Sequence, residues 1–231
     1  MKADTEGVLS VKSNKSSLRI FNGAVAIVTG AASGIGRALA EELSRRGSEV
    51  ILADLQCELA QEVASGICSA GGKATVKEVD VTDFSAIETL VRETVDRTGR
   101  LDYMFNNAGI GIGGEVWRYC IEDWDRIIDV NLRGVTYGVQ AAYQVMFKQG
   151  FGHIVNTSSA AGLAPFPFEV GYVATKYAVV GLSTALRMES IPTGIRVSVI
   201  CPGVIRTPIL KGGEIWKDAD EHSSGQHGTG V

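Results

Sequence analysis

Short apolar runs alternate with helical stretches about six times along this 231-residue chain. The apolar runs cover residues 25–28, 50–53, 74–79, 101–105, 153–155 and 196–200. They are too short for helices and mostly apolar, as buried strands are. Between them lie stretches with helical spacing at residues 37–46, 58–70, 83–98, 121–148 and 170–190. In the first of these, Ala38, Leu39 and Leu43 recur at helical spacing and Gly47 is placed to cap the end. Asp83 is placed to cap the third, which ends before Gly99. Such alternation predicts an α/β fold with a parallel sheet and helices on both faces. In sheets of this kind, ligands bind beyond the carboxyl ends of the strands. The unusual residues of this chain cluster there: Thr29-Gly30, Asp54, Asp80, Asn107-Ala108-Gly109, Ser159 and Pro202-Gly203.

The first predicted strand runs into Gly30-Ala31-Ala32-Ser33-Gly34-Ile35-Gly36 and then a helix. Glycines at such a turn let the backbone bend tightly and approach a pyrophosphate. The helix N-terminus behind them offers unpaired N–H groups and the positive end of a dipole. Asp54 follows Gly30 by 24 residues and closes the second strand. An acidic side chain there accepts hydrogen bonds from the adenosine ribose and repels a 2′-phosphate. Ser33 stands where a Lys or Arg could have bound that phosphate, so the expected cofactor is NAD rather than NADP.

Tyr172 and Lys176 are four residues apart on the last predicted helix, one turn apart on one face. Tyrosine is a poor acid or base near neutral pH. A neighbouring ammonium should lower its pKa and let it exchange a proton with a carbonyl or alcohol oxygen. Taken together, Thr29-Gly-x-x-x-Gly34-Ile35-Gly36, Asp80-Val81, Asn107-Ala108-Gly109, Asn131, Ser159, Tyr172-x-x-x-Lys176 and Pro202-Gly203 resemble the classical short-chain dehydrogenase/reductase family across residues 21–211.

That resemblance implies a Rossmann-like doubly wound fold and an oxidoreductase acting on secondary alcohols or carbonyls. It implies that Asn131 holds a water of the proton relay. Ser159 and not Ser158 fits the family's serine, because it lies 13 residues before Tyr172 and three before Gly162. Ser159 would donate a hydrogen bond to the substrate oxygen, and Tyr172 would act as acid and base. Lys176 would lower the pKa of Tyr172 and hold the nicotinamide ribose. Asp80 and Val81 would contact adenine, and Asn107, Ala108 and Gly109 would line the adenosine side. Thr207, after Pro202-Gly203, would meet the nicotinamide carboxamide. Leu163, Pro165, Phe166, Pro167 and Phe168 lie between Ser159 and Tyr172, as the wall of a hydrophobic substrate pocket or as ordinary loop packing. An epimerase or dehydratase of the extended relatives fits the glycine spacing less well.

Composition excludes little else. Net charge is −4, with no Lys/Arg cluster, so nucleic acid is not an expected partner. Cys57, Cys68, Cys120 and Cys201 are scattered without metal-ligand spacing, which predicts reduced thiols, no metal and a cytoplasmic protein. No apolar run approaches the length needed to span a bilayer. Residues 1–20 are expected to be a flexible tail, and 21–211 one nucleotide-binding domain. Residues 212–231 are polar and rich in Gly, Ser and charge, with no strand-like run. They read as a tail in place of the family's lid, last helix and last strand. That shortening predicts reduced stability and an alternative function, a nucleotide-binding homologue without useful turnover. A homodimer or homotetramer is expected if the fold is complete enough.

Overall fold

The computed structural model describes residues 17–210. Its six strands are β1 (Val25–Thr29), β2 (Glu49–Asp54), β3 (Lys73–Glu78), β4 (Tyr103–Asn106), β5 (Gly152–Thr157) and β6 (Ile195–Ile200). They form one parallel sheet in the order β3-β2-β1-β4-β5-β6. The helices are α1 (Gly34–Arg45), α2 (Cys57–Ser69), α3 (Phe84–Thr98), α4 (Ile121–Ile128), α5 (Gly134–Gln149) and α6 (Val170–Glu189). The predicted α/β fold is therefore the one observed.

The chain steps outward from β1 to β3, then α3 carries it back to β4 on the other side of β1. Right-handed crossovers in opposite directions put their helices on opposite faces. One face packs Val25, Ile27, Ile51, Met104 and Ile154 against Ile87, Leu90 and Val91 of α3 and Ala142 and Met146 of α5. The other packs Val28, Val50, Leu52 and Phe105 against Ala40 and Leu43 of α1 and Val63, Ala64 and Ile67 of α2. Burial of each large apolar side chain contributes roughly 1.5–3 kcal/mol. Ala38, counted with the apolar face of α1 from sequence, is exposed.

Helix ends follow the residue chemistry. The Asp83 side chain accepts from the Ser85 N–H at the start of α3, and Gly99 closes it in the left-handed region at φ +74°. The 121–148 stretch is helical throughout, as expected, but not uniformly α-helical. Between α4 and α5, residues 129–133 form a turn of π-helix that contains Asn131. Register then sets the strand ends side by side. Thr29 lies opposite Ala53, Val28 opposite Phe105, Asn106 opposite Asn156, and Thr157 opposite Ile200.

Asp102 lies just before β4 and outside it, although 101–105 was read as one strand. Its carboxylate is fully buried. It accepts from the Arg19 and Val25 N–H groups at 3.0 Å each, and from Arg100 Nε at 2.7 Å and Nη2 at 2.6 Å. The same guanidinium donates to Ser17 O, so Ser17 and Arg19, assigned to the tail from sequence, are tied to the sheet. The expected lack of a last strand concerns residues 212–231, outside the described residues. Among the described residues, β6 has a strand neighbour on one side only.

Asp102→Ala should cost about 3–5 kcal/mol, because it strands a buried guanidinium and two N–H groups. Urea unfolding checks this. A loss below about 1 kcal/mol would remove the carboxylate from its structural role.

Candidate active site

β1 delivers the chain to Gly30 in the left-handed region, φ +65°, and Gly34 follows at φ +52°. A Cβ at Gly30 would sit 2.8 Å from the Ala108 Cα, and one at Gly36 would overlap the Gly30 carbonyl oxygen. The loop is therefore closed so tightly that these positions admit only glycine. Ser33 precedes α1 in extended conformation, and its hydroxyl caps no helix N–H. No acidic residue stands in the first turn, where half-buried Ile35 lies. The open N–H groups and the glycine cradle fit a dinucleotide pyrophosphate.

Asp54 closes β2 beside this loop. One carboxylate oxygen accepts from Ala32 N at 2.9 Å and the other from Gln56 N at 2.9 Å. The side chain thus holds the loop and the entry to α2 together.

Across the switch point, Thr29 Oγ1 donates to Phe105 O and accepts from the N–H groups of Asn107 and Ala108 at 3.0 Å each. Asn107 Nδ2 donates to Thr29 O at 3.0 Å, and its Oδ1 accepts from Thr157 Oγ1 at 3.3 Å. The Asn107 side chain therefore ties β1, β4 and β5 together instead of pointing out to line a ligand. Asp80 Oδ1 accepts from both the N–H and the hydroxyl of Thr82 at 2.8 Å, shaping the turn after β3. Val81 packs against Gly134 at the start of α5.

Asn131 is fully buried in the π turn. Its Oδ1 accepts from Ile110 N at 2.8 Å, and its Nδ2 donates to Ile110 O at 2.9 Å. The amide clamps the loop after β4. Gly109 in that loop brings this loop to the lysine: a Cβ there would lie 3.3 Å from Asn131 Oδ1 and 3.4 Å from Lys176 Nζ.

Lys176 on α6 is only 3% exposed. Its Nζ donates to Thr157 O at 3.2 Å and stands 5.3 Å from the centroid of the Tyr172 ring. Burial holds the ammonium down at about 8, partly offset by the nearby Cys201. The Tyr172 phenol stands close enough to the Ser159 hydroxyl to feel it electrostatically. Burial pushes the phenol up, the Ser159 hydroxyl pulls it down, and the Glu169 carboxylate pushes it up again. The net direction is upward, opposite to that expected from a neighbouring ammonium alone. The ammonium is turned to the Thr157 carbonyl over the ring face, and desolvation wins. Ser158, set aside from sequence as structural, donates from its hydroxyl to Lys176 O at 2.8 Å.

Beyond β6, Pro202 O accepts from Ala160 N at 2.8 Å, which places Pro202 beside the Ser159 turn. Nothing stands within 4 Å of a Cβ built on Gly203. Thr207 lies against Gly34, 3.1 Å from where a Cβ would be, and Ile209 lies against Gly111. The segment after β6 thus bridges the two loops of the switch point.

Leu163, Phe166 and Phe168 are exposed apolar side chains between Ser159 and Tyr172. Phe168 has a left-handed backbone, φ +66°, and its carbonyl accepts from Gly114 N at 2.6 Å. The 111–121 segment, with exposed Val116, Trp117 and Ile121, was not singled out from sequence. Its Gly-rich start, Gly109 to Gly114, was the available signal. An open hollow of about 660 Å³ lined by Cys57, Glu58, Gln61, Glu62 and Ser65 lies along α2, outside this cluster. Among the described residues, no group of three or more His, Cys, Asp or Glu could hold a metal, and no helix is long and apolar enough to cross a membrane.

Residues 24–218 match a family profile described as short chain dehydrogenase. The chain is similar to cyclohexanol dehydrogenase of Acinetobacter sp. strain SE19, 39% identical over 191 residues, which is 82% of this chain and 76% of that one. A short chain dehydrogenase/reductase from Burkholderia phymatum, solved in complex with NAD, superposes with a TM-score of 0.80 at 34% identity, covering 83% of this chain and 69% of that one. A structure from Beutenbergia cavernae with NADP bound at low occupancy superposes at 0.76 with 32% identity, covering 80% and 74%.

The buried lysine carries a pH signature. Unfolded, it keeps its proton up to about 10.5; folded, it gives the proton up from about 8. Between these values the unfolded chain binds more protons, so stability rises with pH. Lys176→Met should therefore stabilise the fold below pH 8 by on the order of 1–3 kcal/mol, with the gain fading towards pH 10.5. Melting temperatures of the two proteins across that range check it. A gain independent of pH would contradict the buried charge.

Proposed function

The chain belongs to the short-chain dehydrogenase/reductase family of oxidoreductases, and from that premise we propose that it moves a hydride between NAD and a hydrophobic secondary alcohol or carbonyl. The observation that carries the reading is the convergence of Ser159, Tyr172 and Lys176 at the end of β5, with Gly109 of the neighbouring loop against Lys176. Bound NAD supplies the carbon that gives or accepts the hydride.

The chain's own groups handle the proton and the binding. Tyr172 donates a proton to the carbonyl oxygen in reduction and takes one from the alcohol in oxidation. Burial favours the neutral phenol, the form that reduction uses. The Lys176 charge beside the ring offsets that preference in oxidation. Ser159 donates a hydrogen bond to the substrate oxygen, and Lys176 and Thr207 hold the nicotinamide end. Asn131 sets the loop after β4 and holds a relay water near its π turn. Gly30, Ser33, Gly34, Ile35 and Gly36 take the pyrophosphate, and Asp80, Val81, Ala108, Gly109 and the backbone of Asn107 form the adenosine side. Exposed Leu163, Phe166, Phe168 and Trp117 favour an apolar substrate. Asp54, fixed between Ala32 and Gln56, favours NAD because its carboxylate repels a 2′-phosphate. The complete set of proton-transfer residues and the dehydrogenase named among the relatives support turnover over binding alone.

The test is NADH and NADPH fluorescence titration, then turnover of NAD with a panel of secondary alcohols that includes cyclohexanol. NADH should bind more tightly than NADPH. Tyr172→Phe should lose about 10²–10⁴-fold in turnover while NADH affinity changes little. Undiminished turnover in that variant rejects the assignment, and tighter NADPH binding rejects the role of Asp54.

A further inference from the structure

A buried polar chain runs beneath the lysine, between the sheet and two helices. Asn106 on β4 and Asn156 on β5 are register partners, and both are buried. Asn106 Nδ2 donates to Asn156 Oδ1 at 2.8 Å. Asn156 Nδ2 donates to Ser183 Oγ on α6 at 2.9 Å, and Ser183 donates to Val179 O at 2.6 Å. At the far end, Asn106 Oδ1 is directed at Gly138 of α5, where any Cβ would overlap it. It is a buried side-chain oxygen without a hydrogen-bond partner. A polar chain of this kind is costly between apolar layers unless its geometry is fixed, because each displaced member leaves another unpaired.

The chain's position says what it fixes. Asn156 immediately precedes Thr157, whose carbonyl takes the Lys176 ammonium. Ser183 lies seven residues after Lys176, two turns along the same face of α6. Apolar contacts are non-directional and leave a helix free to slide or turn on a sheet by a fraction of a residue. A directed amide–hydroxyl bond is not.

We propose that Asn156 and Ser183 are positioning residues that lock the axial position of α6 on β5, and so hold Lys176 at Thr157 and Tyr172 at Ser159. The inference rests on the proposed function for its catalytic consequence, but its geometry stands without it. Among the described residues, no other contact of α6 with β5 below Lys176 is directional in this way: Ser158 and Thr157 grip the helix at the Lys176 turn itself. Ser183 supplies the second point that a defined orientation needs.

The experiment reads Lys176 directly in the full-length protein. Lysine labelled with ¹³C at Cε is titrated by NMR, and the Lys176 resonance is assigned by its loss in Lys176→Met. The wild type should titrate near about 8. Ser183→Ala should move the midpoint up by ~0.5 unit or more, as the freed helix lets water reach the ammonium. Ser183→Cys keeps the shape in a slightly larger side chain with a weaker hydrogen bond, should shift in the same direction by less, and carries the test if Ser183→Ala does not fold. Thr184→Ala removes an exposed α6 hydroxyl that donates to Val180 O and should leave the midpoint alone. Ser183→Thr keeps the hydroxyl and should restore the wild-type value. An unchanged midpoint in folded Ser183→Ala, or an equal shift in Thr184→Ala, overturns the proposal. Failure of the wild type to bind NADH would sink the functional reading but would leave this titration unaffected.

Discussion

A buried ammonium must be paired, and at Lys176 that requirement organises the end of the sheet. A desolvated lysine costs several kcal/mol unless a partner meets it. The partner here is the Thr157 carbonyl at the last residue of β5. Satisfying it brings α6 down onto β5, which puts Tyr172 beside Ser159 and turns the aromatic ring under the cation. The loop after β4 then closes over the same spot, where a Cβ at position 109 would press within 3.3 Å of Asn131 Oδ1 and 3.4 Å of the lysine. The cost of burying the charge and the geometry of the site are two views of one constraint.

The glycine loop answers the same sheet from the other side of the switch point. Thr29 and Asn107 bind β1, β4 and β5 into one block, so the glycine loop and the lysine cluster cannot drift independently. Asp54 holds the loop from β2. The outer parts of the site are held more lightly. Phe168 sits in a left-handed backbone latched to Gly114, and Thr207 and Ile209 rest on glycines of both loops.

Much of this was legible in sequence because it rests on local chemistry. Apolar runs gave the strands, and Asp83 and Gly99 bounded α3 where expected. The glycine spacing and the Tyr172–Lys176 interval marked the strand-end loops that the fold brings together. What was not legible depends on long-range partners. Asp102 read as part of a strand, since nothing local says that Arg100, Arg19 and Val25 will gather on it. The π turn at Asn131 interrupts a pattern whose helical spacing hardly changes. Asn107 read as a ligand-lining residue, yet its amide is consumed by Thr29 and Thr157. The direction of the Tyr172 shift was misjudged because spacing reports a neighbouring charge but not the desolvation that opposes it.

The central claim is that one conformation of α6 places the proton donor and the cofactor anchor together at the end of β5. A crystal structure of the protein with NAD bound tests it most directly. The account predicts the nicotinamide ring beside Tyr172, its ribose on Lys176 and the pyrophosphate on the N–H groups of Gly34 to Gly36. A dinucleotide seated elsewhere, or a nicotinamide turned away from Tyr172 with Lys176 out of reach, would contradict it.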